Sequence, residues 1–476
     1  MLLKAPLKIG NGAGFWGDNL DAPYLLARDG GLDVLTLEYL AELTLAILSH
    51  QRAKNPAAGF VTDFPDTLER LVPILRDQEQ LHIATNAGGL NPRACAVACG
   101  KILEKAGLGD IEIGAVSGDD VLGQIPRWLA DGVALDNMET GQPLAEVADR
   151  LSSANVYLGA RPITDAFQNG CRIVLTGRVA DASLTLGPAA AHHGWSWSDW
   201  NTLAGASAAG HLIECGAQVT GGLWHEWDRV PDLAGIGYPI AEVAADGSAV
   251  ITKPAGTGGL VSVGTVAEQL LYEIDDPTRY RTPDVDVDFT TVSLTEEGPD
   301  RVAVRGTTGK PPSDRLKVAI VSRDGWTASG MLGVAGRDAE KKARAAGAIV
   351  LDRVRRAGVE IADSLVECFG AGDVAPGLLA PRESLREVVV RITVRDSDRR
   401  AVERFCRELA PLVTSGPPGI AGYAAGRPIA RPAFGYWPAL LPRELVSPAV
   451  EICSASSWSA RPPQTQSQTC HIGGNK

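Results

Sequence analysis

Leu7-Lys8-Ile9-Gly10-Asn11-Gly12-Ala13-Gly14-Phe15-Trp16-Gly17-Asp18 is an apolar run that stops at a small, glycine-rich loop. Three further apolar runs end in the same way, at Thr85-Asn86-Ala87-Gly88-Gly89, Gly114-Ala115-Val116-Ser117-Gly118-Asp119-Asp120 and Thr176-Gly177-Arg178-Val179-Ala180-Asp181. Short apolar runs bounded by such loops and alternating with helical stretches are typical of βαβ units in a parallel sheet. Because the loops after parallel strands share the edge where ligands bind, they predict one composite site.

The predicted fold class for residues 1–280 is α/β, with a mostly parallel sheet flanked by helices. About five or six βα units precede Gly205, whereas a closed eightfold barrel needs ~250 residues, so we favour an open doubly wound sheet. In residues 281–412, alternating strands and two helical stretches predict a smaller α+β domain with an antiparallel sheet. Residues 413–453 are expected to form a Pro/Gly-rich loop or partner-facing arm, and residues 454–476 a disordered tail.

Charge and composition exclude several classes of partner. Lys and Arg number 45 against 57 Asp and Glu, and the net charge of −12 repels nucleic acids and anionic membranes. No run of about 18 apolar residues and no signal peptide is present, so we expect no membrane segment. The eight cysteines lack the spacing of a disulfide framework, which indicates reduced thiols and a cytoplasmic location.

Two glycine-rich segments are candidate anion-binding loops. The first segment, Thr85-Asn86-Ala87-Gly88-Gly89, leads through Asn91 and Pro92 into a helix. The second segment surrounds Lys253. Each has a structural alternative, a turn whose glycines serve only geometry or a surface lysine before a turn. The first segment has neither the Gly-Lys-Ser/Thr end of a Walker loop nor the spacing of a dinucleotide-binding loop. The predicted substrate-binding residues are Asn11, Gly12, Gly14, Asn86, Gly88, Gly89, Asp119, Lys253, Gly258 and Gly259. They favour a ligand with a phosphate or carboxylate at one end.

Acid and base candidates cluster where the predicted strands end. These are Asp18, Glu38, Asp119, Asp120 and Asp181. Carboxylates in a water-poor crevice can move protons near neutral pH, although each one alone is also explained as a helix cap or as a partner of Arg161 or Arg178. We predict Asp18, Asp181, His211, Arg178 and Arg161 as catalytic residues.

A metal site is a weaker interpretation of the same region. His211 and Glu214 share a helix face, and His225 follows, but no further ligand pair has zinc-site spacing. We therefore assign no metal and no cofactor, and favour a structural or general-base role for His211.

Collinear motifs in this chain resemble a known family. They are Asn11–Asp18, Asp63-Phe64, Thr85–Pro92, Tyr157–Ala160, Thr176–Asp181, Gly210–Gly216 and Ile251–Gly259. Together they are similar to the acyclic terpene utilisation AtuA family, from about Lys8 to Arg344 and more weakly to Trp437. The resemblance implies catabolism of citronellol- and geraniol-type terpenoids and other branched-chain acyl-CoA compounds. Many members also carry a small C-terminal domain or have it as a separate protein, so a small partner is expected here unless this branch works without one.

The leading functional hypothesis is a lyase of terpenoid or branched-chain carboxylic acid catabolism. It would add or remove water, or cleave a C–C bond, on an acyl-CoA or polycarboxylate, with Lys253 and the glycine loops holding the anionic end. Arg178 or Arg161 would polarise a carbonyl, and Asp18, Asp181 or His211 would move the proton. The alternative is a non-catalytic acyl-CoA-binding subunit that needs a small partner. A metal-dependent hydrolase using His211, Glu214 and His225 is a third, weaker hypothesis. A homo-oligomer is expected.

Overall fold

A computed structural model describes residues 4–378 and 384–462. The strands are β1 Leu7–Asn11, β2 Val34–Leu37, β3 His82–Thr85, β4 Glu112–Ser117, β5 Leu151–Val156, β6 Ile173–Thr176, β7 Ile240–Val243, β8 Ala249–Thr252, β9 Tyr280–Arg281, β10 Asp286–Asp288, β11 Ser293–Gly298, β12 Arg301–Arg305, β13 Thr308–Lys310, β14 Arg315–Ala335, β15 Asp363–Phe369, β16 Glu387–Asp396, β17 Ile420–Tyr423, β18 Arg431–Pro442 and β19 Ala449–Ser454. The helices are α1 Ala22–Asp29, α2 Glu42–Lys54, α3 Asp63–Asp77, α4 Pro92–Lys105, α5 Ile125–Ala130, α6 Arg161–Gln168, α7 Ser183–His193, α8 Trp200–Glu214, α9 Val263–Leu271, α10 Ala339–Arg356, α11 Arg399–Glu408, α12 Leu412–Ser415 and α13 Ala455–Ser459.

A ten-stranded sheet forms the larger of two compact units, which holds the described residues through Val321 and those from Trp437 onward. The strand order is β11-β12-β8-β7-β1-β2-β3-β6-β4-β19. The five strands from β1 to β4 in this order are parallel neighbours, and antiparallel strands extend the sheet on both sides. The predicted α/β class and the open sheet are confirmed, and the complete sheet is mixed rather than parallel throughout.

Helices cover both faces of the central strands. Along β6, Ile173 and Leu175 pack in a cluster with α3 and α4, whereas Val174 between them packs in a cluster with Ile163 of α6. Every residue of β2 and β6 is buried. Burial on both sides explains why these strands are continuous apolar runs rather than alternating ones.

The observed division of the chain differs from the predicted boundaries. β11 and β12 lie beyond residue 280, and they join the antiparallel edge of the large sheet through β8. The alternating sequence pattern of these strands arises because one face of the sheet edge is exposed to solvent. The same pattern is expected whether the strands extend an existing sheet or start a new domain. The predicted arm 413–453 contains β17, β18 and β19, and β19 pairs antiparallel with β4.

The smaller unit holds residues Ser322–Tyr436. Its elements follow in the order β14, α10, β15, β16, α11 and β17, and the strand order is β15-β16-β14-β17 with antiparallel neighbours. This is the split βαβ arrangement of ferredoxin-like domains. Val350 of α10 and Phe405 of α11 pack with Val390 and Ile392 of β16, so both helices contribute to one core. The predicted antiparallel sheet with two helices is confirmed in this unit.

Residues 454–462 of the predicted disordered tail are described and form the end of β19 and the helix α13. Trp458 of α13 is fully buried, and its Nε1 donates to the Ile113 carbonyl oxygen of β4 at 3.0 Å. The serine-rich sequence around Trp458 gave no indication that this side chain is buried against the sheet. Residues 463–476 lie outside the described part of the chain. Within the described ranges, no helix is both long enough and apolar enough to cross a membrane.

Candidate functional site

The carboxyl ends of the parallel strands meet at a cavity of about 800 Å³ in the larger unit. Side chains from the loops after β1, β2 and β6 and from the last turn of α8 share its wall: Phe15, Asp18, Glu38, Glu42, Arg178, Asp181, His211 and Glu214. The structure therefore brings four predicted catalytic residues together, namely Asp18, Arg178, Asp181 and His211.

Arg178 lies at the centre of the charged groups, with a side chain that is only 4% exposed. Its Nη2 donates to Asp181 Oδ1 at 2.7 Å, its Nη1 donates to the Leu40 carbonyl oxygen, and Nη1 is 3.8 Å from Glu38 Oε1. The guanidinium carbon is 4.1 Å from the centre of the Tyr157 ring. A buried arginine with two carboxyl groups and an aromatic face as neighbours is held in a single orientation.

Asp119 holds the backbone of Arg178 by a hydrogen bond. Asp119 Oδ2 accepts hydrogen bonds from the Arg178 backbone N–H at 2.9 Å and from Asn155 Nδ2 at 2.8 Å. A Cβ on Gly177 would lie 2.4 Å from either Asp119 carboxylate oxygen, so only glycine fits there. Burial raises the pKa of Asp119 to about 6. Asp119 was predicted to bind substrate, but its side chain is outside the cavity wall and acts as a positioning residue.

Glu38 carries a buried carboxyl group with one unpaired oxygen. Its Oε1 accepts from the Leu40 N–H at 3.0 Å and from Asn86 Nδ2, while Oε2 is shielded from water and has no hydrogen-bond partner among the described residues. Burial, and then the negative charge of Asp181, raise the pKa of Glu38 to about 8. Glu38 is therefore a protonated acid at neutral pH. Asn86, predicted as a substrate ligand, holds Glu38 instead.

His211 and Glu214 form a second proton-binding pair on α8. His211 Nδ1 is 3.3 Å from Glu214 Oε1, and the His211 ring lies 5.4 Å from the Phe289 ring and 5.5 Å from the Tyr280 ring. Burial lowers the pKa of His211, but the neighbouring Glu214 outweighs it and the pKa is raised. Burial, and then the charge of Asp181, raise the pKa of Glu214 to about 7. The pair can therefore hold one proton close to neutral pH.

Asn11 is the last residue of β1, Asp18 lies in the loop that follows, and the two residues have different roles. Asn11 Nδ2 donates to the carbonyl oxygens of Ile213 at 2.8 Å and Glu214 at 2.7 Å, which ties the end of α8 to the sheet. Asp18 lines the cavity, where it accepts from the Tyr238 hydroxyl at 2.6 Å and from the Gly14 N–H at 2.8 Å. Asn11 is thus a positioning residue for Glu214, and Asp18 is held by two donors.

Basic side chains from a distant part of the sequence complete the cavity wall. Arg281, Arg315 and Lys317 line it, and Arg281 and Arg315 are exposed without a salt bridge to any described residue. Lys317 Nζ is 3.6 Å from Glu42 Oε1, which also accepts from the Tyr157 hydroxyl at 2.6 Å. Sequence reasoning missed these cations because residues 281–317 were assigned to another domain.

The exposed part of the cavity wall is also apolar. Phe15, Met138 and Leu223 line the cavity, and they are 57%, 51% and 84% exposed. An opening that combines free guanidinium groups with exposed hydrocarbon suits a ligand that has both an anionic group and an apolar body.

Five of the glycines that were predicted to bind substrate use their N–H groups within the protein. The N–H groups of Gly12, Gly89 and Gly258 donate to the carbonyl oxygens of Thr36, Asn86 and Gly235. In the same way, the N–H groups of Gly14 and Gly259 donate to Asp18 Oδ2 and to the Pro231 carbonyl oxygen. A Cβ on Gly88 would lie 2.5 Å from the Thr176 carbonyl oxygen, so Gly88 allows β3 and β6 to approach.

Lys253 and Arg161 lie outside this cavity. The Lys253 ammonium group is 3.1 Å from Asp300 Oδ2 and donates to the Thr257 carbonyl oxygen at 2.9 Å. Arg161 lies over the Trp197 ring, with its guanidinium carbon 5.0 Å from the ring centre. Of the predicted basic residues, only Arg178 is therefore part of the cavity wall.

The residues suggested for a metal site separate in the structure. His225 is 72% exposed at its side chain and pairs with Glu268 at 2.6 Å, away from His211 and Glu214. Among the described residues, no three His, Cys, Asp or Glu side chains are grouped so that they could hold a metal ion.

The raised pKa of Glu38 predicts how stability depends on pH. The folded protein keeps the Glu38 proton up to about pH 8, whereas the unfolded chain releases it near the ordinary pKa of 4.5. The stability that this proton contributes is complete below pH 4.5 and is lost as pH rises to about 8. We expect thermal unfolding of Glu38→Gln to depend less on pH than wild type between about pH 5 and about pH 9. Glu104→Gln, on the surface, is the control. An unchanged slope in Glu38→Gln would contradict the assignment.

Comparison with known proteins identifies the family. The family model described as acyclic terpene utilisation family protein AtuA matches residues 7–452, which confirms the resemblance seen in the motifs. No curated protein and no solved structure gives a significant match. The matched range runs from β1 to β19 and includes every residue of the cavity wall named above. The chain therefore belongs to the acyclic terpene utilisation family AtuA.

Proposed function

We propose that this protein is a lyase that acts on a branched, anionic carboxylic acid derivative, either an acyl-CoA or a polycarboxylate, in acyclic terpenoid catabolism. The observation that carries the proposal is the pair formed by Glu38 and Asp181 on either side of Arg178. Glu38 has a raised pKa and supplies an acid, while Asp181, 31% exposed, supplies a base held by Arg178 Nη2. An acid and a base at one cavity are what addition or elimination of water requires.

In a dehydration, Asp181 and Glu38 act on two adjacent carbons of the substrate. The Asp181 carboxylate takes the proton from the carbon next to the substrate carbonyl, and the electrons of that C–H bond form the new C=C bond. The C–O bond on the adjacent carbon breaks as the leaving hydroxyl takes a proton from Glu38 and departs as water. Arg178 is fixed between the two carboxyl groups and stabilises Asp181 as an anion before the transfer.

The same groups also serve C–C cleavage. In that reaction the base takes the proton of a hydroxyl group, the adjacent C–C bond breaks, and the acid protonates the carbanion that is released. The His211–Glu214 pair lies on the same wall and can return the proton to the site after turnover. The choice between the two lyase reactions depends on the substrate.

The rest of the cavity supports an anionic, partly apolar substrate. Arg281, Arg315 and Lys317 provide positive charge for a carboxylate or phosphate, and Phe15, Met138 and Leu223 provide contact for a branched hydrocarbon. Since the seven cysteines in the described ranges are free thiols, we place this reaction in the cytoplasm.

Asp181→Asn is the variant that tests the proposed base. We expect turnover of branched 3-hydroxyacyl-CoA, enoyl-CoA or the corresponding free acids to fall by ~10²-fold or more, since asparagine cannot accept the proton. The products are followed by mass spectrometry as gain or loss of one water or as cleavage of the carbon chain. Asp286→Asn is the matched control, because Asp286 is a buried carboxylate paired with Arg279 outside the cavity. Equal turnover by Asp181→Asn and wild type would exclude the proposed base.

A non-catalytic acyl-CoA-binding subunit is the second candidate function. The exposed apolar side chains Phe15, Met138 and Leu223 on the cavity wall favour it, because a small partner protein or a second copy of the chain would cover them. In this case the isolated chain binds substrate without turnover, and activity requires the partner. Turnover by the purified chain alone would exclude this alternative.

A further inference from the structure

A second cavity, of about 1080 Å³, lies in the larger unit. Pro283 and Leu316 line both this cavity and the first one. The wall of the second cavity combines three kinds of side chain: the indole rings of Trp197 and Trp200, the guanidinium groups of Arg161 and Arg443, and an aliphatic surface that includes Val450 and Ile452.

The two arginines of this cavity form no salt bridge with a carboxylate of the described residues. Arg161 forms no salt bridge with any described residue, and Arg443 donates only to the carbonyl oxygens of Pro283 at 2.6 Å and Ser313 at 3.0 Å. Asp284, which lines the cavity, instead accepts from the Ala160 N–H at 2.9 Å. Asp165 also lines the cavity, and it too lies beyond salt-bridge distance of both guanidinium groups. Among the described residues, the buried Asp284 carboxyl group interacts electrostatically with both guanidinium groups without forming a salt bridge, so two arginines share one carboxyl group and can bind a further anion.

The neighbours of these charges indicate which anion fits. Indole and guanidinium faces stack on planar aromatic rings, and guanidinium groups bind phosphate oxygens in pairs. The Arg161 guanidinium carbon already lies over such a surface, 5.0 Å from the Trp197 ring centre. We propose that the second cavity binds a nucleoside phosphate, with its base against Trp197 and Trp200 and its phosphates on Arg161 and Arg443.

This site selects between the two substrate classes of the proposed function. A CoA thioester carries a nucleotide at one end and an acyl group at the other. A free polycarboxylate has no planar ring that could stack on the indole rings of this cavity. Because Pro283 and Leu316 line both cavities, the two cavities are neighbours, and we infer that the nucleotide end and the acyl end of one thioester occupy one cavity each. Selection of the CoA thioester rests on the proposed function, but nucleotide binding itself does not.

Isothermal titration calorimetry of the full chain with CoA, with ADP and with a free branched acid tests the site. We expect CoA and ADP to bind wild type, and Arg161→Gln to weaken both about tenfold or more through loss of a charge-assisted contact. Arg229→Gln is the matched control, since Arg229 lies over Trp224 at 5.5 Å outside both cavities. It should bind both ligands as wild type does. Because Arg161 is exposed, its replacement leaves the core intact.

Three outcomes of the titration are decisive. No binding of either CoA or ADP at ~1 mM would overturn the proposal, as would equal affinity in Arg161→Gln and wild type. Binding of ADP but not CoA would keep the nucleotide site and overturn the selection of a CoA thioester. Asp181→Asn should bind CoA as wild type does, so failure of the proposed reaction and failure of the nucleotide site give different results.

Discussion

Replacing Glu38 by glutamine is expected to lower turnover by ~10²- to 10⁴-fold while the protein stays folded. Glutamine keeps an oxygen for the Leu40 N–H and for Asn86 Nδ2, but it has no proton to give to a leaving group. The wild-type rate should fall as pH rises above about 8, where Glu38 loses its proton, and the residual rate of Glu38→Gln should lack this decline.

Steady-state rates across pH, with circular dichroism as the folding control, check this expectation. Asp286→Asn should keep wild-type turnover, because its carboxylate is buried outside the cavity. A Glu38→Gln variant that turns over within a few-fold of wild type, or that retains the alkaline decline, would show that Glu38 is not the acid.

Replacing Arg178 by glutamine is expected to affect stability and turnover together. The change leaves the partly exposed Asp181 carboxylate without its partner, and breaking a buried ion pair in this way costs up to about 3–5 kcal/mol of unfolding free energy. Turnover should be lost as well, because this guanidinium holds the Asp181 base by a hydrogen bond. Chemical unfolding and turnover of the same preparations measure the two effects.

A second variant separates charge from packing at Arg178. Adding Asp181→Asn and Glu38→Gln to Arg178→Gln removes the unpaired carboxyl groups, so we expect part of the lost stability to return without activity. Arg172→Gln is the control, since Arg172 donates only to the carbonyl oxygens of Leu75, Gln78 and Leu81 and lies outside the cavity. A loss in Arg178→Gln of under about 1 kcal/mol would contradict the buried-pair account.

The central strands and the site that follows them could be predicted from sequence because both depend on local pattern. Buried parallel strands are continuous apolar runs, and the residue after each run must lie at the carboxyl edge of the sheet. From this pattern, the carboxyl edge of the sheet was predicted to carry Asp18, Glu38, Arg178 and Asp181. Helical spacing likewise placed His211 and Glu214 together on α8.

Long-range relationships could not be predicted in the same way. Arg281, Arg315 and Lys317 reach the cavity from a segment whose alternating pattern is the same for an added sheet edge and for a new domain. The Gly258-Gly259 loop has the sequence of an anion-binding loop, but whether its N–H groups are free depends on the carbonyl oxygens of Gly235 and Pro231. Residue spacing within the loop carries no information about such distant partners.

The roles of buried polar residues were also hidden from sequence. Asp119 and Asn86 lie in the predicted loops, but their side chains point to Arg178, Asn155 and Glu38 instead of the cavity. A residue that binds substrate and a residue that holds a catalytic group occur in the same loop with the same chemistry. Only the direction of the side chain distinguishes them.

In the proposed dehydration, Asp181 removes a proton next to the carbonyl of a branched substrate. The most direct measurement is proton NMR in deuterium oxide, which follows exchange of that C–H proton of branched acyl-CoA or of the free acid. We expect wild type to catalyse the exchange, and Asp181→Asn to slow it by ~10²-fold or more, whether or not product accumulates. Exchange at the wild-type rate in Asp181→Asn would show that Asp181 is not the base, and no exchange in wild type with either substrate class would exclude the dehydration.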